Sequence, residues 1–237
     1  MVHTEIYWSG NGALSNIHFL KDNFFEYKES KLETKISELW NDHKKEFPQD
    51  YDGKLLFLND IEFEEELDSC NNHFFLQVSW IRYSTLIGLT KLEIPMKKYG
   101  ILGNQVAIFD ESEKFILVGK RKTNQRYAPG LLTLPGGMFE VDDIKLGPSS
   151  FLRELHEEVH INIKKTKFIA LLSEHTTNSS IFLIKGILSQ EFNPHEIFVD
   201  QDNEFEEKQL FWLHVNQLKK LHPSTLMEGL TYLQTIL

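Results

Sequence analysis

The sequence predicts a mixed α/β fold, and three observations support this prediction. Segments rich in Leu, Ile, Val and Phe, as in strands, alternate with segments whose apolar residues recur at helical spacing. Turn signals built from glycine, proline and Asp-Gly separate these segments. Hydrophobic residues make up 41% of the 237 residues, which is enough for a packed core. We therefore expect strands and helices to pack together in a mixed α/β architecture.

The first block of the chain, residues 1–98, combines one predicted helix with two predicted strands. Apolar residues at helical spacing predict a helix over residues 32–47, and Pro48 ends it. After the Asp52-Gly53 turn, residues 55–63 and 74–81 have the composition of strands. We interpret this block as an N-terminal α+β extension.

The second block, residues 99–237, continues the alternation of strands and helices. Its predicted strands cover residues 105–109 and 115–119, which form a hairpin around Asp110-Glu111-Ser112, and residues 131–134, 168–172, 181–187 and 210–213. A helix is predicted over residues 149–159, with Ser149 as its cap, and a last helix from Pro223 to Ile236.

Charge and cysteine content exclude several classes of protein. The formal net charge of −10 argues against a general binder of long nucleic acids, whose surface must attract phosphate. Cys70 is the single cysteine, so the chain builds neither an internal disulfide nor a cysteine zinc site. The first residues lack a basic stretch followed by an apolar run, and no segment has the ~20 apolar residues of a membrane span. We expect a cytoplasmic protein without a membrane partner; the sequence does not give its oligomeric state.

Three carboxylates near the middle of the chain predict a metal site. Glu154, Glu157 and Glu158 are spaced i, i+3 and i+4, so a helix places them on one face, where like charges repel. A divalent cation between them reverses that repulsion, and Mg²⁺ prefers such oxygen ligands. The alternative is a solvated acidic face on which Arg153 forms ordinary surface pairs.

The longer pattern around these residues resembles the Nudix box. It consists of Leu-Pro-Gly-Gly, a loop with three carboxylates, and then Arg-Glu-Leu-x-Glu-Glu. The resemblance covers about residues 100–237 and implies a Nudix-type α/β/α sandwich that works as a metal-dependent pyrophosphohydrolase. It implies that Glu154, Glu157 and Glu158 bind metal, that Arg153 holds a site glutamate by an ion pair, and that all four residues are catalytic.

The sequence departs from the family pattern at three places. The family places its leading glycine fourteen positions before the arginine, whereas Gly137 precedes Arg153 by sixteen. The loop glutamate of the family falls on Asp143, a shorter carboxylate, and the late glycine of the box is His160. We assign Asp143 as the loop metal ligand, with Glu140 or Asp142 as alternatives.

The resemblance also implies a mechanism. Mg²⁺, or Mn²⁺ in its place, neutralises the diphosphate and lowers the pKa of a bound water. A carboxylate then takes the proton of that water. The base is a glutamate of the box or a residue of a later loop, for which residues 202–207 supply candidates.

Further residues are candidates for substrate binding. Arg121 and Arg126 precede the box and lie in reach of phosphates, and Gly136 and Gly137 let the backbone approach them. In the first block, the segment of residues 76–88 is predicted as a strand followed by a turn and carries Tyr83 and Gly88.

This segment and the run of residues 126–137 are similar to the eukaryotic Nudix subgroup that hydrolyses UDP-glucose and UDP-galactose. The similarity implies that the first block is a specificity element and that a UDP-sugar is cleaved to UMP and a sugar 1-phosphate. Alternative substrates are ADP-ribose, a dinucleotide or a capped RNA end. A catalytically silent nucleotide sensor is the other class considered, and core packing is the alternative role of Tyr83.

Overall fold

A computed structural model describes residues 4–20, 26–64, 72–94, 99–123, 128–153, 155, 159, 161, 163–174, 179–189 and 205–237. Within these residues, the strands are β1 Thr4–Gly12, β2 Ile17–Leu20, β3 Lys54–Glu64, β4 His73–Arg82, β5 Ile101–Phe109, β6 Phe115–Arg121, β7 Leu132–Thr133, β8 Ile163–Glu174, β9 Ser179–Leu188 and β10 Phe205–His214. The α-helices are α1 Glu33–Glu46, α2 Tyr83–Lys91, α3 Asp143–Leu146, α4 Val215–Leu218 and α5 Glu228–Ile236.

The ten strands form one mixed sheet that includes both blocks of the chain. Its main path runs β1-β8-β9-β5-β3-β4-β2, and β6 joins β5 to β7 and β10. Strands β5 and β9 pair in parallel, as do β2 and β4, whereas the other pairs are antiparallel. Strands β1 and β3 of the first block pair with β8 and β5 of the second, so the sheet crosses the boundary predicted after residue 98. The division into two domains stays a prediction.

Helical segments cover both faces of this sheet. Alternate residues of β5 point to opposite faces, as the pleat of a strand requires. Leu102, Val106 and Ile108 pack in one apolar cluster with Phe151, Leu155 and Val159, whereas Ala107 and Phe109 pack in another with Leu230 and Leu233 of α5. Burial of these two clusters supplies most of the apolar stabilisation of the second block. The arrangement confirms the predicted mixed α/β sandwich.

Helices α1 and α2 of the first block form a further layer against β3 and β4. The apolar cluster between them consists of Ile36, Leu55, Phe57, Ile81, Leu86, Leu89 and Ile101. The two helices approach closely at Gly88, where an added Cβ would lie 2.7 Å from Cγ1 of Ile36. Helix α1 confirms the helix predicted over residues 32–47.

The prediction of a strand followed by a turn over residues 76–88 was wrong in its second half. Strand β4 ends at Arg82, and helix α2 begins directly at Tyr83. The first N–H groups of α2 find partners in a distant turn: the backbone N–H of Tyr83 donates to Gly53 O (2.9 Å), and that of Ser84 donates to Asp52 Oδ1 (2.8 Å). Because this cap comes from 32 residues away, no local signal marked the start of the helix.

Four other features differ from the predictions. Strands β1 and β2 were not predicted; β1 contains two glycines and is broken by register shifts against β8, so it lacks a regular apolar alternation. The helix predicted from Pro223 is a 3₁₀ turn over residues 223–225, and α5 starts only at Glu228. The hydroxyl of Ser149 donates to Leu146 O within a 3₁₀ turn and does not cap a helix.

The remaining strand predictions are confirmed: β7, at residues 132–133, is shorter than the predicted 131–134, and the other observed strands extend beyond their predicted ranges. The Asp110 turn joins β5 to β6, as predicted, and Phe109 pairs with Ile116. In the part of the chain that the structure describes, every helix is too short or too polar to cross a membrane.

Candidate active site

The glycine-rich loop that follows β7 lies along the strands at the centre of the sheet. The N–H groups of Val106 and Asn104 on β5 donate to Pro135 O (2.8 Å) and Gly137 O (2.9 Å). The loop then crosses to β3, where Leu56 N–H donates to Phe139 O (2.7 Å). Strands β3 and β5 pair directly only at Phe57 and Ile101 in the described register. The loop therefore fills the gap between a strand of each block.

Gly136 has a backbone conformation and surroundings that exclude a side chain. Its φ is +152°, and an added Cβ would lie 2.2 Å from the backbone oxygen of Asn104. Its neighbour Gly137 donates its N–H to Asn104 Oδ1 at 3.2 Å. The structure thus gives Gly136 a packing reason, and contact of Gly136 and Gly137 with substrate stays a prediction.

Arg153 forms an ion pair with Asp143 that joins the loop to the residues of the box helix. Arg153 Nε donates to Asp143 Oδ1 at 2.8 Å, and a second guanidinium nitrogen donates to Oδ2 at 3.1 Å. Asp143 Oδ2 also accepts the backbone N–H of Glu140 at 2.7 Å. Only 2% of the Asp143 side chain is exposed, so the carboxylate of this bidentate pair is shielded from water, whereas 24% of the Arg153 side chain is exposed.

These contacts define the surroundings of two residues predicted from the sequence. Arg153 pairs with Asp143, whereas the family resemblance implied a pair with a site glutamate; that pair stays a prediction. Both oxygens of Asp143 accept hydrogen bonds from the protein, which is a positioning arrangement. Whether Asp143 also binds metal stays a prediction.

The two extra residues of the box fall between the partners of this ion pair. Helix α3 ends at Gly147, whose φ is +58°, and a 3₁₀ turn over residues 147–152 leads to Arg153. Arg153, Leu155 and Val159 are helical, and the side chains of Leu155 and Val159 are buried. The ion pair between Asp143 and Arg153 therefore spans the lengthened segment and holds its two ends together.

The other two loop carboxylates are more exposed than Asp143. Asp142 pairs with Lys145 at 2.6 Å, and this hydrogen bond, with the charge of Lys145, lowers the pKa of Asp142. The charge of Lys54 on β3 acts in the same direction. Glu140 accepts a hydrogen bond from the hydroxyl of Tyr51. Glu140 and Asp142 remain the alternatives for a loop metal ligand.

The first block contacts the loop through the turn before β3. Besides the contact of Tyr51 with Glu140, the N–H of Val141 donates to Lys54 O at 3.0 Å. The ring of Tyr51 lies beside Gly53 and is 65% exposed. Lys54 Nζ lies 4.9 Å from the centroid of the Trp80 ring. One short turn thus links the first block to the loop of the box.

Tyr83 and Gly88, predicted to bind substrate, lie in the layer of α1 and α2. The ring of Tyr83 makes edge contacts with Trp40 (5.9 Å between centroids) and His43 (6.2 Å). Gly88 faces Ile36. These contacts match the core-packing alternative, and the substrate role of both residues stays a prediction.

Arg121 ends β6, and its backbone holds the turn that leads to the box. Its N–H donates to Leu131 O (2.9 Å), and its carbonyl accepts the N–H of Gly130 (3.2 Å).

Among the described residues, no three His, Cys, Asp or Glu side chains come together as a metal-binding group. Several candidates lie outside the described residues, or have side chains outside them: Arg126, Glu154, Glu157, Glu158, His160 and the carboxylates of residues 202–207.

Sequence reasoning missed two residues at this site, Asn104 and Tyr51. Asn104 is a buried polar residue within the apolar strand β5, and this contrast was the available signal. Tyr51 precedes a turn and carries no pattern that separates it from other exposed aromatic residues. Only the fold brings it to Glu140, 89 positions later.

Comparison with known proteins identifies the class to which this fold and loop belong. The family model described as the NUDIX domain matches residues 104–229, which is more than half of the chain. The chain therefore belongs to the Nudix family and is a hydrolase of nucleoside diphosphate derivatives. Hydrolases of this family generally use divalent metals.

Several solved structures are similar to the chain. The MutT protein from Methanosarcina mazei Go1 is 20% identical with a TM-score of 0.40; the match covers 60% of this chain and 94% of that protein. The MutT NUDIX hydrolase from Burkholderia pseudomallei is 18% identical with a TM-score of 0.42, covering 58% and 98%. The bifunctional NMN adenylyltransferase/ADP ribose pyrophosphatase from Francisella tularensis, complexed with AMP and Mn ion, is 18% identical with a TM-score of 0.41, covering 64% and 44%. The comparison with curated protein sequences gave no match.

Proposed function

We propose that the protein hydrolyses the phosphoanhydride bond of a UDP-sugar, giving UMP and a sugar 1-phosphate. The observation that carries the catalytic part is the buried ion pair of Asp143 with Arg153. This pair fixes the glycine-rich loop against the start of the box helix, although the segment between them is two residues longer than in the family. A junction fixed in this way is what an active site needs and what a passive acidic surface does not need.

The donor groups of the box fit a hard divalent cation. Glu154, Glu157 and Glu158 offer carboxylate oxygens at helical spacing, which suits Mg²⁺ or Mn²⁺. We assign the metal to these three residues, with Glu140 or Asp142 as a loop ligand. Because Asp143 already accepts hydrogen bonds at both oxygens, its role in this proposal is to orient Arg153. When bound, the cation offsets phosphate charge and acidifies a water molecule.

The chain's own residues then orient the reacting groups and move one proton. In this proposal, the backbone of Gly136 and Gly137, held against β5, lines the site of the diphosphate. A carboxylate of the box, or one from residues 202–207, takes the proton of the attacking water as general base. Arg153 contributes by holding the loop rather than by touching the phosphate.

The contacts of the turn at residues 51–54 support the proposed role of the first block in substrate specificity. Tyr51 and Lys54 connect this block to the loop that carries Glu140 and Asp142. In this proposal, the part of the substrate beyond the diphosphate extends from the metal site toward the turn at residues 51–54 and contacts the first block there. We propose that Tyr83 and Gly88 also shape this side, through the layer of α1 and α2, and that uridine is preferred to adenosine.

A panel of substrates tests the proposal. The protein would be incubated with Mg²⁺ and UDP-glucose, UDP-galactose, ADP-ribose, a dinucleoside polyphosphate or a capped RNA oligonucleotide, and products separated by chromatography. We expect UMP and sugar 1-phosphate from the UDP-sugars, with the highest kcat/KM, and no turnover in excess EDTA. A kcat/KM that is higher for ADP-ribose than for the UDP-sugars would refute the UDP-sugar proposal but not the assignment as a Nudix hydrolase. Binding without turnover of any substrate would favour the silent nucleotide sensor.

A variant at the turn separates the contribution of the first block. Tyr51→Phe removes only the hydroxyl that contacts Glu140, so we expect kcat/KM to fall by about two- to tenfold, as for loss of one partly exposed hydrogen bond. Tyr232→Phe makes the same chemical change on α5, in the apolar cluster of Leu230 and Leu233, and serves as control. Equal rates in both variants would show that the contact with Glu140 has no part in catalysis.

A further inference from the structure

Asn104 of β5 joins the two ends of the box segment with one side chain. Its Oδ1 accepts the N–H of Gly137 at 3.2 Å, and its Nδ2 donates to Phe151 O at 2.8 Å. Its backbone N–H adds a third bond, to Gly137 O at 2.9 Å. The loop glycine and the turn before Arg153 are therefore both fixed to the same residue of the central sheet.

This polar side chain occupies an apolar environment. Only 3% of Asn104 is exposed, and its face of β5 packs among Leu102, Val106 and Phe151. Burying an amide costs free energy, which is offset only when both of its polar atoms are hydrogen-bonded, as here. A leucine at this position would suit the core and would lose the connection between the loop and the helix.

The lengthened segment explains why such a connection has a function. The segment from Gly137 to Phe151, which Asn104 joins, lies within residues 137–153, where the box is two residues longer than in the family. Fixing both ends of such a segment costs conformational entropy, which hydrogen bonds at both ends offset. Asn104 fixes the segment from the sheet side, and the pair of Asp143 with Arg153 fixes it from the loop side.

We propose that Asn104 is a positioning residue of the active site: by bridging Gly137 and Phe151, it sets the start of the box helix relative to the glycine-rich loop. Its effect on the reaction passes through Arg153 and the carboxylates that follow it. This proposal rests on the proposed function as a metal-dependent hydrolase. A merely structural role predicts a loss of stability alone, whereas a positioning role predicts a loss of metal affinity and kcat in a folded protein.

Two variants of Asn104 and one control distinguish these roles. Asn104→Asp keeps the shape and the acceptor for Gly137 but replaces the donor to Phe151 with an oxygen, whereas Asn104→Ala removes both groups. Ser79→Ala removes a buried hydroxyl between β4 and β3 that contacts Asn59 at 3.2 Å, away from the loop. For each protein, urea unfolding, kcat, KM and the affinity for Mn²⁺ by calorimetry would be measured.

We expect both Asn104 variants to lose about 10- to 100-fold in Mn²⁺ affinity and in kcat, the range typical of residues that orient metal ligands. KM at saturating metal should stay near the wild-type value, and Ser79→Ala should retain both properties. Folded Asn104 variants with wild-type kcat and Mn²⁺ affinity, or equal losses in Ser79→Ala, would overturn the proposal. If Asn104→Ala does not fold, the isosteric Asn104→Asp decides. Wild-type protein that neither binds Mn²⁺ nor turns over substrate would instead refute the proposed function.

Discussion

The box loop and the layer of α1 and α2 meet the same turn before β3, but different forces hold them. The loop is held by buried polar contacts, chiefly those of Asn104 and of Asp143 with Arg153. The layer is held by apolar packing, with Gly88 against Ile36 and Tyr83 against Trp40. Polar contacts are directional and fix atoms, whereas apolar packing depends on volume. The comparison teaches that the loop should be sensitive to substitutions that keep the size of a side chain but change its polar groups. The layer should be sensitive to substitutions that keep the polarity but change the volume.

The largest expected effect belongs to the helix carboxylates of the box. Glu157→Gln and Glu158→Gln keep the side-chain shape and remove one negative charge each, so the loss should lie in metal binding rather than packing. We expect kcat to fall by more than the roughly 100-fold typical of residues that only orient a ligand. Steady-state kinetics with a Mg²⁺ titration checks this, and unchanged circular dichroism serves as the folding control. Wild-type rates in both variants would show that the three glutamates form only a solvated acidic face and bind no catalytic metal.

The ion pair of Asp143 with Arg153 should show a smaller effect on rate and a clear effect on stability. Arg153→Ala leaves the carboxylate of Asp143 buried without its cation, which should cost about 3 kcal/mol, the lower end for a broken buried pair, because 24% of the Arg153 side chain remains exposed. Urea unfolding and kcat would both be measured.

The variant Arg153→Lys sharpens this test. Lysine keeps the charge but cannot donate to both oxygens of Asp143 in the same way, so stability should recover more than kcat does. Normal kinetics and stability in Arg153→Ala would contradict the role of the pair at the junction of loop and helix.

The layer of α1 and α2 predicts the opposite pattern. In Gly88→Ala, the new Cβ would lie 2.7 Å from Ile36 Cγ1, so we expect a loss of about 1–3 kcal/mol from overpacking. Ile36→Ala removes Cγ1 and Cγ2, so Gly88→Ala should cost less stability in an Ile36→Ala background than in the wild type, as measured by urea unfolding. If Gly88 serves packing alone, KM for UDP-glucose stays at the wild-type value in folded Gly88→Ala. A raised KM in that folded variant would support the substrate role that the sequence predicted.

The same difference explains how far the sequence could predict the molecule. The box is contiguous, so its residues could be recognised in the sequence, where the resemblance implied a pair of Arg153 with a site glutamate; the pair with Asp143 was not predicted. Helix α2 could not be predicted, because Asp52 and Gly53 in a distant turn accept the hydrogen bonds of its first N–H groups. For the same reason, Asn104 and Tyr51 were missed, since the groups that they contact lie 33 to 89 positions away in the chain.

The smallest expected effect lies at Asp110, in a turn remote from both regions. Burial opposes ionisation there, but hydrogen bonds from the Ser112 hydroxyl and from the backbone N–H groups of Phe115 and Ser112 lower the pKa of Asp110 below 3.8. A pKa that is lower in the folded state contributes stability above the unfolded value, and this stability is lost as pH falls through the folded value. The free energy of unfolding should therefore decrease below about pH 4, and Asp110→Asn should flatten part of that dependence. Urea unfolding between pH 3 and pH 7 measures it, and kcat of Asp110→Asn at neutral pH should equal that of the wild type. A reduced kcat of Asp110→Asn would mean that a buried charge affects the reaction even when it lies far from the box loop. That result would contradict the distinction between a loop that positions catalytic groups and a layer that only packs.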